Sequence, residues 1–158
     1  VRLIERLNEY DIELVEQPVP YHDIAGLEYV TKHSIVPIMS DESCFNAKDA
    51  LRLVERRAID YLNIKLMKCG GIREALKINA ICESAGIECM LGCMVEESNL
   101  GITAAASLGA ATKNITRADL DATFTLTDLP FKGGMHIENT KSLVLPEEPG
   151  FGFIGFED

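Results

Sequence analysis

The sequence is poor in basic residues: Lys and Arg total 15, against 25 Asp and Glu, which gives a net charge of −10 at pH 7. Binding of nucleic-acid phosphates depends largely on clusters of Lys and Arg, so this composition argues against a nucleic-acid partner. The sequence also lacks an apolar run near the roughly 18 residues of a membrane-spanning helix, and it shows no leader with a cleavage site. We therefore expect no membrane partner.

Disulfide frameworks and zinc sites lack support as well. The sequence has five cysteines, an odd number, and no two of them are spaced as C-x-x-C. This pattern is typical of a reducing compartment, so we expect a cytoplasmic protein. The cysteines are then interpreted as small core residues: Cys44, Cys69, Cys82, Cys89 and Cys93.

Five short apolar runs predict the strands of a parallel sheet. They recur about every 25 residues with helix-like segments between them, which fits repeated right-handed βα units. A closed (β/α)8 barrel needs eight units and about 250 residues. We therefore predict an α/β fold in which residues 1–121 form the C-terminal part of a (β/α) barrel, about five strands of eight. An open sheet complete in itself is the alternative. The predicted strands are 12–16, 36–40, 61–65, 88–93 and 115–120.

The two ends of the sequence differ from this pattern. The first residue is Val1, inside a segment with a helical pattern, so we interpret the chain as a piece of a longer protein. After residue 121, short apolar stretches separated by glycines predict brief antiparallel strands. We assign residues 122–158 to a C-terminal β-rich extension.

Ionisable residues recur at the same position, the carboxyl end of each predicted strand. Glu16, Asp41 and Lys65 each stand at the end of a strand. In a barrel, side chains at the carboxyl ends of different strands converge on one pocket. Four further acids also lie at or just after predicted strand ends: Glu96, Glu97, Asp119 and Asp121.

Glu16, Asp41 and Lys65 together predict a metal-assisted proton transfer. Two carboxylates on neighbouring strand ends are the oxygen ligands that Mg²⁺ prefers. A lysine beside a metal can have its pKa lowered enough to act as a base near neutral pH. This combination suits removal of a proton from the carbon next to a carboxylate, with Mg²⁺ stabilising the enediolate.

Each residue also has a structural interpretation. Glu16 could be a solvated loop acid, and Asp41 could be a helix cap. Lys65 could be a strand-end lysine that extends to solvent, and Lys68 competes for its role. We prefer Lys65 because Lys68 falls in the predicted turn. Ordinary turn acids are the alternative for Asp119 and Asp121.

Four motifs resemble the strand-end motifs of the muconate-lactonizing branch of the enolase superfamily, and the resemblance runs through nearly the whole chain. They are Val15-Glu16-Gln17-Pro18, Ser40-Asp41-Glu42-Ser43, Asn63-Ile64-Lys65-Leu66 with Gly70-Gly71, and Glu97-Ser98-Asn99-Leu100-Gly101. The likeness implies that Glu16 and Asp41 are two of three Mg²⁺ ligands, with Mn²⁺ as a substitute. It also implies that Lys65 is one of two acid/base lysines.

Within that branch, Asp119-Leu120-Asp121 resembles the Asp-x-Asp motif of the dipeptide epimerases, which binds the substrate's α-ammonium group. Two carboxylates at i and i+2 on one strand end can both reach a single cation. Two interpretations stay open for Glu97: an acid behind the site that tunes Lys65, or the charge at the N-terminus of its helix.

The resemblance implies epimerisation of a dipeptide such as Ala-Glu at its C-terminal residue, with one lysine removing the α-proton and the other returning one. A muconate-type cycloisomerase, an o-succinylbenzoate synthase or N-acylamino acid racemase, and a non-catalytic fragment are the alternatives. The family's N-terminal capping domain, its Lys-x-Lys motif and its first Asp ligand are absent from this sequence. We therefore expect no turnover by the chain alone, packing of residues 122–158 on that capping domain, and a homo-oligomer.

Overall fold

The computed structural model describes residues 1–139 and 142–156. Five parallel strands are hydrogen-bonded in sequence order, which confirms the predicted α/β sheet. Each strand ends at the same edge of the sheet, since Lys65 pairs with Gly92 and Gly92 with Asp119. The strands are β1 (Val15–Glu16), β2 (Ile38–Ser40), β3 (Tyr61–Lys65), β4 (Glu88–Gly92) and β5 (Ile115–Asp119).

Helices connect the strands and begin close to the strand-end loops. Side-chain caps fix three of these starts: Asp23 accepts from Gly26 N–H, Asn46 from two backbone N–H groups, and Ser98 from Gly101 N–H. In the part of the chain that the structure describes, none of them has the length and apolar character of a membrane span. The helices are α1 (Arg2–Leu7), α2 (Ile24–His33), α3 (Ala47–Glu55), α4 (Leu66–Cys69), α5 (Ile72–Ser84) and α6 (Asn99–Ala111).

The central strands are buried on both faces, as is usual for parallel sheets. Apolar side chains of β2, β3 and β4 form one continuous core with the helices, and four of the five cysteines belong to it. This core holds the strand ends, and the side chains they carry, in fixed positions. Its most buried members include Leu27, Ile38, Leu53, Leu62, Ile78, Leu91 and Ile102.

The segment after β3 differs from the prediction. A tight turn was expected after Lys65, but the four-residue helix α4 lies between the strand and the glycines. Gly70 and Gly71 then take φ values of 85° and 115°, a region that favours glycine. A helix of one turn leaves too short a pattern for sequence periodicity to detect.

The C-terminal extension contains two antiparallel strand pairs, as predicted. It packs on α6, because Asn99 Nδ2 donates to Phe131 O and Met135 N–H donates to Thr103 Oγ1. Its boundary at residue 122 stays a prediction. After a 3-10 turn at Ala122–Thr125, β6 (Phe131–Gly133) pairs with β9 (Phe153–Phe156), and β7 (His136–Glu138) pairs with β8 (Ser142–Val144).

Candidate active site

A cleft of about 640 Å³ lies at the carboxyl edge of the sheet. Four of the residues predicted from the sequence line it together: Glu16, Asp41, Lys65 and Asp119. They come from β1, from the loop after β2, and from the ends of β3 and β5. Parallel strand order alone brings them together, because residues far apart in sequence end at one edge.

Asp41 is the most heavily paired acid of the cleft. Its Oδ2 lies 2.7 Å from Lys65 Nζ, and its Oδ1 lies 2.6 Å from Lys68 Nζ. Burial alone would raise the pKa of Asp41, but hydrogen bonds from the two lysines outweigh burial and hold that pKa below its ordinary value. Asp41 is therefore a carboxylate at neutral pH, as a metal ligand must be.

The pKa of Lys65 is raised above its ordinary value. Burial would lower its pKa, but the ion pair with Asp41 raises it, and the charges of Glu16 and Glu42 add to that effect. A cationic lysine thus faces a cleft lined by acids. A cation bound beside Lys65 would act in the opposite direction, because a neighbouring positive charge lowers the pKa of an ammonium group.

Lys68 is a site residue whose place the sequence did not reveal. Its Nζ donates to Asp41 O, Asp41 Oδ1 and Asn63 O, so all three donors of the ammonium are used. The helix α4 turns Lys68 back toward β2, whereas Lys65 faces the cleft. The three-residue spacing between Lys65 and Lys68 indicates that both lysines can reach Asp41 only once the helix α4 is known.

Gln17 and Asn63 are two further residues that sequence reasoning missed. Gln17 Oε1 accepts from the N–H groups of Asp41 and Ser43, which joins the loops after β1 and β2. Gln17 holds this geometry with a φ of 42°, which is uncommon for a residue with a side chain. Asn63 Nδ2 donates to Glu16 Oε1 over 2.7 Å.

The remaining predicted residues are divided between two places. Asp119 lines both the cleft and an adjoining apolar groove, while Asp121 lines only the groove and accepts a weak contact from Cys93 Sγ. Glu97 is buried and accepts from Met94 N–H, one turn before α6. That contact is local, and an effect of Glu97 on Lys65 stays a prediction.

The donor set of the cleft fits part of a divalent-cation site. Glu16 and Asp41 offer carboxylate oxygens from neighbouring strands, the ligand type that Mg²⁺ prefers. Within residues 1–139 and 142–156, no group of three or more His, Cys, Asp or Glu side chains lies close enough to bind a metal. The two predicted ligands, Glu16 and Asp41, line the same cleft, and a full octahedral site would need further oxygens beside theirs.

An apolar rim lies beside Lys65. Phe45, Met67 and Met94 line a second cavity of about 290 Å³ together with Lys65, and all three are exposed. The one other lysine there, Lys68, is fully engaged. Lys65 is paired with Asp41, and the carboxylates of Asp41 and Glu42 line the same cavity, so the rim offers contact area for an apolar group and an unfavourable setting for an acidic one.

Comparison with known proteins extends these observations. Residues 1–154 match the family model "Enolase C-terminal domain-like". The chain is 61% identical over 152 residues to the hydrophobic dipeptide epimerase of Enterococcus faecalis, and 49% identical over 144 residues to the L-Ala-D/L-Glu epimerase of Bacillus subtilis. These matches cover 96% and 91% of this chain but 43% and 39% of the relatives. The chain thus spans less than half the length of either relative.

The fold also agrees with a solved structure of a dipeptide epimerase. A crystal structure of the dipeptide epimerase from Enterococcus faecalis, complexed with Mg and the dipeptide L-Leu-L-Tyr, matches with a TM-score of 0.93 and 61% identity over 97% of this chain and 43% of that chain. The five parallel strands thus match the C-terminal barrel portion of enolase-superfamily structures, as predicted. The chain belongs to the enolase C-terminal domain-like family.

Proposed function

We propose that this chain supplies the C-terminal barrel portion of a Mg²⁺-dependent dipeptide epimerase. One observation carries the proposal: Glu16, Asp41, Lys65 and Asp119, from four separate strand ends or the loop that follows one, line a single cleft. The relatives that are named dipeptide epimerases support the reaction class. The proposal also includes a location in the reducing cytoplasm and a homo-oligomeric state.

Lys65 acts as one of two bases in this reaction. Its uncharged amine takes the α-proton of the C-terminal residue, and the electron pair of the broken C–H bond moves into the neighbouring carboxylate to form an enediolate. A proton delivered to the opposite face of the carbon then inverts the centre. Lys65 is the one described lysine that lines the cleft, and Lys68 has all its donors bound, so we assign the second role to a lysine outside this chain.

Glu16 and Asp41 would hold the metal. Bound Mg²⁺ supplies positive charge that stabilises the negative charge developing on the substrate carboxylate. Asp119 and Asp121 bind the substrate's α-ammonium group, and Asp119 has direct access to the cleft. The acids that follow β1 and β2 are thus assigned to the metal, and those at the end of β5 to the substrate's ammonium group.

The rim formed by Phe45, Met67 and Met94 favours a dipeptide with an apolar side chain. An acidic side chain placed there would lose its hydration beside the carboxylates of Asp41 and Glu42, and both lysines of the cavity are already bound to Asp41, so its burial would be costly. The relative with 61% identity is named a hydrophobic dipeptide epimerase, in agreement with this preference. We therefore expect Leu-containing dipeptides to be better substrates than Ala-Glu.

Exchange of the α-proton in D₂O tests the proposal. The complete protein is incubated with Mg²⁺ and a panel that includes L-Leu-L-Tyr and L-Ala-L-Glu, and loss of the α-proton signal is followed by NMR. We expect exchange that stops with a chelator, and a loss of at least about 100-fold in Lys65→Ala for the epimer whose proton faces Lys65.

A null result has a clear meaning. Absence of exchange with every dipeptide, from a protein that is folded and binds Mg²⁺, would reject the epimerase and favour a cycloisomerase or synthase of the same superfamily. Exchange that is insensitive to chelator would reject the metal-dependent mechanism.

A further inference from the structure

Asn63 is the one described hydrogen-bond donor to Glu16. It lies in the middle of β3, only 1% exposed, and its Nδ2 reaches Glu16 Oε1 over 2.7 Å. Glu16 itself is exposed and belongs to a strand of two residues. An exposed carboxylate on a short strand is thus hydrogen-bonded to a buried residue of β3.

We propose that Asn63 is a positioning residue that fixes the Glu16 carboxylate for metal binding, and that Gly92 provides the space Asn63 needs. The inference rests on the proposed function, because Glu16 acts there as a metal ligand. Groups that hydrogen-bond to a ligating carboxylate orient it, and their loss typically weakens metal binding about 10- to 100-fold.

Packing alone does not account for an amide at this position. Asn63 Oδ1 is buried and has no hydrogen-bond partner among the described residues. A buried polar atom without a partner costs free energy, and an apolar side chain of the same size would fill this space without that cost. The amide is therefore explained by its other end, which donates to Glu16.

Gly92 supports the same conclusion from the neighbouring strand. A Cβ at residue 92 would lie 2.6 Å from Asn63 Oδ1 and 2.8 Å from Nδ2, closer than real Cβ contacts. Gly92 is not among the residues with positive φ, so backbone conformation does not require glycine there. Close approach of the Asn63 amide accounts for it.

Comparison with Asp41 shows why the Glu16 carboxylate needs a hydrogen-bond donor to orient it. Two lysines hold both of its oxygens, so its orientation is set from its own surroundings. Among the described residues, no cation forms an ion pair with Glu16, although the charge of Lys65 acts on it from a greater distance. With Asn63 bound to Oε1, rotation of the carboxylate is restricted and Oε2 is left as the oxygen available to a cation.

Titration calorimetry with MgCl₂ tests this inference on the complete protein and three variants: Asn63→Leu, Gly92→Ala and Gly109→Ala. We expect the Mg²⁺ dissociation constant to rise at least tenfold in the first two variants. Gly109→Ala is the matched control, because its Cβ would make only ordinary contacts of 3.7 and 3.9 Å, and its constant should equal the wild-type value. The metal-free melting temperature is measured in parallel.

The outcomes separate the two proposals. A wild-type protein that binds no Mg²⁺ would overturn the proposed function and this inference together. Wild-type binding with variant constants within twofold of it, whatever the melting temperatures, would overturn the inference alone and leave Asn63 a structural residue. Should Asn63→Leu fail to fold, Gly92→Ala decides, since it adds only a methyl group.

Discussion

Lys68 and Asp41 form an ion pair in which the side chains are 5% and 6% exposed, with 2.6 Å between Nζ and Oδ1. Lys68 also binds the backbone carbonyl groups of Asp41 and Asn63, so one ammonium joins the loop after β2 to β3. Lys65 has Asp41 as its one described ion-pair partner and is more exposed, at 18%. Lys68 is thus an anchor, whereas Lys65 lines the open cleft.

Replacing Lys68 by Met should therefore reduce stability. Three hydrogen bonds to a buried charge are lost, and we expect the free energy of unfolding to fall by about 2 kcal/mol. Urea unfolding of the metal-free protein measures the change. Lys77→Met is the control, because Lys77 forms an exposed ion pair with Glu74 and should change stability by less than about 0.5 kcal/mol. Equal effects of the two variants would contradict the anchoring role.

Asp41 should contribute to stability in a pH-dependent way. Its pKa lies below the ordinary value of 3.8 in the folded protein, so its contribution is present above pH about 4 and is lost as the pH falls through the folded pKa. We expect the difference in unfolding free energy between wild type and Asp41→Asn to shrink between pH 6 and pH 2.5 in chelator. Urea unfolding at several pH values measures it. A constant difference would contradict the depressed pKa.

The elements that the sequence predicted best are those defined by local pattern. The apolar run ending at Lys65 predicted the strand Tyr61–Lys65 at its observed bounds. The convergence of Glu16 and Asp41 followed from parallel strand order. In contrast, Asn63 contacts an acid 47 residues away, and no local pattern marks a buried amide with such a partner. Lys68 depended on α4, which is too short to predict.

Asp119 and Asp121 should differ in their effect on substrate binding. Asp119 lines the cleft that contains Glu16 and Lys65, whereas Asp121 lines the adjoining groove. We expect Asp119→Asn to raise KM for a dipeptide about tenfold or more through loss of a charge-assisted contact to the α-ammonium group, and Asp121→Asn to raise it less. Steady-state kinetics with varied dipeptide concentration measures both. An unchanged KM in both variants would favour a substrate that lacks the ammonium group.

The cysteines should react in an order set by burial. Burial raises the pKa of Cys44 to about 12, and a hydrogen bond with Cys82 together with burial raises the pKa of Cys89. Cys93 is only half-buried, beside Asp121. We expect iodoacetamide at pH 8 to label Cys93 first and to leave Cys44 and Cys89 unmodified until the protein is unfolded. Peptide mass mapping over time shows the order, and early labelling of Cys44 would contradict the structure.

The apolar rim gives a prediction about specificity. Phe45 is 46% exposed beside Lys65, and Leu76 has the same exposure on α5, away from the cleft. Phe45→Ser removes apolar contact area, so we expect kcat/KM for L-Leu-L-Tyr to fall about tenfold, with little change for L-Ala-L-Glu. Leu76→Ser should leave both values unchanged. Comparing the ratio of the two substrates across the three proteins removes any common effect of stability. A ratio that does not change in Phe45→Ser would mean that the rim lies outside the substrate's reach, and any preference for apolar dipeptides would then have to come from other residues.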